Sequence, residues 1–155
     1  MARRRKNGML APGPILRKFI GAPFKVGGRS KNEGYDSFSF FYLLHKERGY
    51  GVPFSFDFLD APDVNFDNYA ELWEEDPERT ESLLWSYILA VTEPHPNIMY
   101  LECGDVVIVK DKDDDIHSCI WLGNDLVGVA TKDYGIQALD RRYFDIIEGR
   151  KWALV

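Results

Sequence analysis

Gly21–Tyr42 reads GAPFKVGGRSKNEGYDSFSFFY. Two glycine-rich turns lead to Asp36-Ser37, and an aromatic run follows. Phe38, Phe41, Tyr42 and Leu44 recur at helical spacing, so the run predicts a helix over Ser37–Arg48 that Gly49 ends. An Asp or Ser at a helix start accepts hydrogen bonds from the free N–H groups of the first turn. The positive end of the helix dipole also favours negative charge placed there. A nucleophile at such a point is activated, and a Cys most of all. The position holds Ser37, and the sequence leaves two roles open for it, reacting group or cap.

Upstream of this stretch, residues 1–13 read as a loose basic arm that Pro12, Gly13 and Pro14 close. Pro14 suits the first turn of a helix. Ile15, Leu16, Phe19 and Ile20 then share one face of a short helix ending at Gly21. Downstream, Gly51-Val52-Pro53 reads as a loop, and residues 54–58 (FSFDF) alternate as a short extended piece does. Residues 60–99 form an acidic, mostly helical insertion. Tyr69, Leu72 and Trp73 make one apolar stripe. Asp76-Pro77 marks a helix start, and Leu83, Leu84, Tyr87, Ile88 and Val91 make a second stripe that Pro94 and Pro96 stop.

From Tyr100 the pattern changes to strands: 105–110 (DVVIVK), 117–122 (HSCIWL) and 126–131 (LVGVAT). The turn Gly123-Asn124-Asp125 makes a hairpin of the last two. Gly135–Leu139 and Trp152–Val155 are candidates for further strands. Helices first and an antiparallel sheet after them is an α+β arrangement.

The chain has 155 residues, 45% hydrophobic and 14% aromatic, which suits one domain, 14–155, with a sizeable core. Its charged fraction of 28% fits a soluble chain. No apolar run is long enough to span a bilayer, and the basic start lacks the apolar region of a secretory signal. Residues 1–32 carry nine Lys and Arg and no Asp or Glu, whereas the rest holds ten basic and 25 acidic residues. A basic arm on an acidic body can bind nucleic acid or an acidic partner, or simply stay solvated. Cys103 and Cys119 form no CxxC pair, which fits a reduced chain better than a disulfide framework.

Few groups carry chemistry. Ser37 at a helix start and His117 on a later strand follow the order in which papain-like sites are assembled. Cys119, on the same strand face as His117, is either near such a site or a small buried apolar residue. The run 111–115 (DKDDD) lacks the glycine and distal Glu of a calcium loop and reads as a solvated hairpin tip. His45, His95 and His117 show no metal-ligand spacing, and no GK[ST] follows Gly27-Gly28 as a phosphate loop requires. No metal or cofactor is expected.

Taken together, these residues resemble the NlpC/P60 family of cell-wall peptidases. The family pattern G-x-P-Y-x-[WY]-G-G is matched by Gly21-Ala22-Pro23-Phe24-Lys25-Val26-Gly27-Gly28, and G-x-D-C-S-G by Gly34-Tyr35-Asp36-Ser37-Phe38-Ser39. A later L-x-P-G-D-L-V is matched by Leu101-Glu102-Cys103-Gly104-Asp105-Val106-Val107, and H-V-G-I-Y-L-G-N by His117-Ser118-Cys119-Ile120-Trp121-Leu122-Gly123-Asn124. The resemblance covers residues 15 to about 135. It implies a papain-like fold, with N-terminal helices packed on a C-terminal antiparallel sheet. The insertion and the ending Arg141-Arg142-Tyr143-Phe144 are similar in style to the phage-tail and gene-transfer-agent branch. That branch implies a virion location at the tail tip or hub, partners among other tail proteins, and contact with peptidoglycan peptide.

The catalytic groups depart from the pattern. Ser37 stands at the nucleophile position and His117 at the base position. Val129 stands where the third, orienting polar residue is expected, and a different strand register would bring Thr131 or Asp133 into play. Phe24 replaces the family Tyr. A serine hydroxyl is not a thiolate and needs a base in the transition state, and that base needs a partner to hold its tautomer. The expectation is therefore a tail structural domain without activity. The alternatives are a peptidoglycan endopeptidase, active through Ser37 or made inert by a Cys-to-Ser change, and a module that holds peptide without cutting it.

Overall fold

The computed structural model describes residues 12–153, so the first eleven residues of the basic arm lie outside it. Its centre is α2 (Ser37–Arg48), whose bounds are those the sequence predicts. Phe38, Phe40, Phe41, Tyr42 and Leu44 are all buried, and so are Ser39, His45 and Arg48. A helix covered on nearly every side lies between two layers. On one side the Phe40 ring packs over Gly128 of the sheet, where a β-carbon would lie 3.3 Å from it. On the other, Phe38 meets the rings of Phe56, Phe66, Tyr69 and Tyr87. Each ring buried in this way contributes about 1.5–3 kcal/mol. Gly49, at φ 104°, ends the helix in the left-handed conformation. Arg48 lies 5.0 Å over the Tyr50 ring, and its Nε and Nη1 have no hydrogen-bond partner among the described residues.

Before α2, the helix α1 spans Pro12–Leu16. It begins two residues before the expected start and stops short of Gly21. Proline is tolerated in a first turn because the N–H it lacks has no partner there. After Leu16 the chain tightens into i→i+3 turns, Lys18 N–H to Ile15 O and Phe19 N–H to Leu16 O, which still bury Ile15, Leu16 and Phe19.

The extended piece at 54–58 shrinks to β1 (Ser55–Phe56), which pairs with β2 (Ala61–Asn65). Helices α3 (Tyr69–Glu75) and α4 (Pro77–Val91) follow. The Asp76 side chain caps α4 with Pro77 in its first turn, as its sequence predicts. The insertion is thus helical in its middle and extended at both ends, because β3 (Thr92–His95) leaves α4 directly and joins the main sheet. The remaining strands are β4 (Val106–Lys110), β5 (Ile116–Gly123), β6 (Leu126–Thr131), β7 (Gly135–Asp140) and β8 (Asp145–Trp152). Six strands run antiparallel in the order β3-β8-β4-β5-β6-β7.

The last strand begins seven residues before the expected Trp152 and ends at that residue; Leu154 and Val155 lie outside the described residues. Asp145, Glu148, Arg150 and Lys151 hide this strand from a hydropathy reading. The structure accommodates them by pairing. Buried Arg150 donates to Thr92 Oγ1 at 2.8 Å, to Thr92 O at 2.9 Å and to Glu148 Oε2 at 2.8 Å, and Lys151 reaches Asp105 at 2.9 Å. In the β5–β6 turn, Asn124 and Asp125 take φ of 51° and 61°, the two positive angles that a two-residue hairpin needs. The fold is α+β, and no helix among the described residues is long and apolar enough to cross a membrane.

Candidate functional site

A cavity of about 260 Å³ opens at the N-terminus of α2. Asp36, Ser37 and Phe38 border it from the helix, Phe24 and Val26 from the glycine-rich turn, and Ile116, His117 and Ser118 from the start of β5. Tyr69, Trp73, Glu81, Leu84, Trp85 and Ile88 complete it from α3 and α4, and Lys132 from the β6–β7 turn. Three of the four sequence-predicted site residues, Ser37, His117 and Phe24, therefore share one cavity.

Ser37 is not the helix cap. Asp36 holds that place: its Oδ1 accepts the Ser39 N–H at 2.8 Å, and its own N–H donates to Ser39 Oγ at 3.0 Å. This reciprocal box frees Ser37 to occupy the first helical position with a half-buried side chain. Among the described residues the Ser37 hydroxyl makes no hydrogen bond, and the N–H groups of Ser37 and Phe38 have no partner. Two open donors beside a hydroxyl are chemically suited to an anion or a polarised carbonyl oxygen.

Asp36 also binds the loop before it. Its Oδ2 accepts the Gly27 N–H at 2.6 Å and the Tyr69 hydroxyl at 2.6 Å. Glycine is required in this loop. A β-carbon on Gly28 would lie 1.9 Å from Gly34 O, and one on Gly27 would lie 2.7 Å from the Ala70 β-carbon. Burial, and next the Asp36 charge, push the Tyr69 hydroxyl far above the usual phenol range, so it stays protonated and donates.

His117 has the orienting partner that the sequence reading denied it. Its Nε2 lies 2.7 Å from Asp111 Oδ2, while Asp111 Oδ1 accepts the N–H groups of Asp113 at 2.8 Å and Asp115 at 3.0 Å. The His117 hydrogen bond, foremost, holds the Asp111 carboxyl below its ordinary range. A carboxylate oxygen only accepts, so Nε2 is the donor in this contact, and in the neutral form of the ring Nδ1 is the bare nitrogen. The run at 111–115 is thus an Asx turn built around a histidine contact rather than a merely solvated tip.

Alternation along β5 puts Ser118, Ile120 and Leu122 on the α2 face, and His117 on the face of Cys119 and Trp121. His117 borders the cavity at the strand's start, yet its ring is held toward the β4–β5 turn. No hydrogen bond joins it to Ser37 among the described residues. Val129 is buried in the second apolar cluster with Val107, Val109, Cys119, Trp121 and Val127, away from the cavity. Thr131 closes the β6–β7 turn by accepting the Tyr134 N–H, and Asp133 is exposed. Cys119 is a core residue, its thiol pushed well above the usual range by burial.

The sequence reading missed Asp111 and the contributions of Tyr69, Trp73, Glu81 and Trp85. Asp111 carried a signal, an Asp at the end of one strand with a His opening the next. The insertion residues carried none beyond their helical period. No model of a protein family matches the chain, and no curated protein matches it.

Proposed function

We propose that the chain is a papain-like domain of the NlpC/P60 type that serves as a structural part of a phage tail, without hydrolytic activity. One observation carries the second half of this reading: among the described residues the Ser37 hydroxyl has no partner, while His117 is turned to Asp111. A serine without a base in reach is a poor nucleophile at neutral pH. The motifs from Gly21 to Asn124 support the family, and the phage-tail setting rests on the style of the insertion and of the ending. Purified protein is expected to leave muropeptides intact over a prolonged incubation, and release of cleaved products would overturn the reading.

A second reading has its own observation. The cavity, the two open N–H donors and a His–carboxylate pair with bare Nδ1 are what a cysteine-type endopeptidase needs beyond its thiol. On that reading Ser37→Cys cuts muropeptides, and His117→Ala in the same background abolishes the cutting. Inertness of the Ser37→Cys protein would remove this reading and leave the first.

A further inference from the structure

The acidic insertion reaches into the cap of α2, and it does so through one hydroxyl. Asp36 is 7% exposed and Tyr69 is 0% exposed, and the two side chains meet at 2.6 Å. The other donors to the Asp36 carboxylate are the backbone N–H groups of Gly27 and Ser39. Tyr69 is therefore its single side-chain donor among the described residues. The next residue of α3, Ala70, packs so closely on Gly27 that a β-carbon there would come within 2.7 Å. The first turn of α3 thus clamps both the glycine loop and the cap that immediately precedes Ser37.

We propose that Tyr69 is a positioning residue for position 37, acting through Asp36, so that the insertion completes the site instead of merely covering it. The proposal rests on reading residue 37 as the nucleophile position. Two effects follow from the geometry. The hydroxyl fixes the rotamer of Asp36 and hence the first turn of α2. It also draws off charge from the carboxylate next in sequence to Ser37, which matters to any anion forming there. The titratable groups bordering the cavity are Asp36, Tyr69, Glu81, His117 and Lys132. Simple packing is the competing account. Tyr69 touches the rings of Phe38 and Phe66, at centroid distances of 5.2 and 5.8 Å, and a Phe in its place would keep both contacts.

The test uses a thiol as reporter, which separates it from any question of hydrolysis. In the full-length Ser37→Cys protein, alkylation by iodoacetamide is followed from pH 5 to 10, with peptide mass analysis to separate position 37 from Cys103 and Cys119. Adding Tyr69→Phe is expected to slow alkylation at pH 7 about tenfold and to move the midpoint of the profile upward. In a third protein that also carries Asp36→Asn, Tyr69→Phe is expected to have less than about a twofold effect, since the path through the carboxylate is gone. Should that protein fail to fold, amide exchange at Ser39 decides, with at least about tenfold faster exchange expected from Tyr69→Phe alone. An unchanged rate and midpoint on Tyr69→Phe would reduce Tyr69 to a packing residue. That outcome is distinct from inertness toward muropeptides, which bears on the proposed function alone.

Discussion

Asp36 and Asp111 do the same job in two different settings. Each uses Oδ1 to accept backbone N–H groups a few positions ahead, from Ser39 in one case and from Asp113 and Asp115 in the other, and Oδ2 to hold a ring group, the Tyr69 hydroxyl or His117 Nε2. Asp36 is buried and joins three segments far apart in sequence: the Gly27 loop, α2 and α3. Asp111 stands on a turn whose other residues, Lys112 to Asp115, are exposed, and its partners all lie within six positions. The half of the cavity that holds Ser37 is thus a product of the whole fold. The half that holds His117 is a product of one hairpin. The first is expensive to alter, and the second can be retuned by a single change without disturbing the core.

The largest test of this contrast is Asp36→Ala. It leaves the Tyr69 hydroxyl and the N–H groups of Gly27 and Ser39 without their acceptor, and a loss of about 3 kcal/mol or more is expected in urea unfolding. Next comes acid. His45, at the far end of α2, has its Nδ1 2.8 Å from Phe41 O. It is pushed down to about 3 by burial, against the Phe41 hydrogen bond and with help from the nearby Arg48 charge. The native state keeps the ring neutral, whereas the unfolded chain takes up a proton below about 6.5. Its stabilisation is therefore full above that pH and is lost as pH falls toward 3. Unfolding at pH 4.5 is expected to show a deficit on the order of 2 kcal/mol relative to pH 7. His45→Phe should flatten that slope. The smallest effect belongs to Asp111→Asn, which should leave the thermal midpoint within measurement error. Its mark is spectroscopic. Nitrogen NMR of His117 should pass from a single Nε2–H tautomer to a mixture. An Asp111→Asn protein that unfolds would break the contrast.

Much of the fold was legible because it is written in local chemistry. Asp36, the aromatic spacing and Gly49 state the bounds of α2, and Gly123-Asn124-Asp125 states a hairpin. β8 was misplaced because its charges are satisfied by partners far away in sequence, Thr92 among them, and no local pattern reports that. The site divides in the same way. Ser37, His117 and Phe24 were found from motif order. Tyr69 was read only as part of an apolar stripe, since its hydroxyl meets Asp36 across 33 positions. Asp111 sat in plain view, but a run of acidic residues masks the one among them that has a partner.

The place of β8 in the sheet has a consequence for how the protein is made. Although it comes last of the described strands, it lies between β3 and β4 and pairs with both, Thr92 opposite Trp152 and Val106 opposite Arg150. While a ribosome still holds that segment, β4–β7 can form as successive hairpins, but β3 has no neighbour and Arg150 has not reached Thr92. Closing the sheet is then a late, long-range event, of the kind that slows folding and leaves strand edges exposed in the meantime. The nascent chain is most vulnerable to self-association in the interval between the emergence of β7 and the arrival of Trp152.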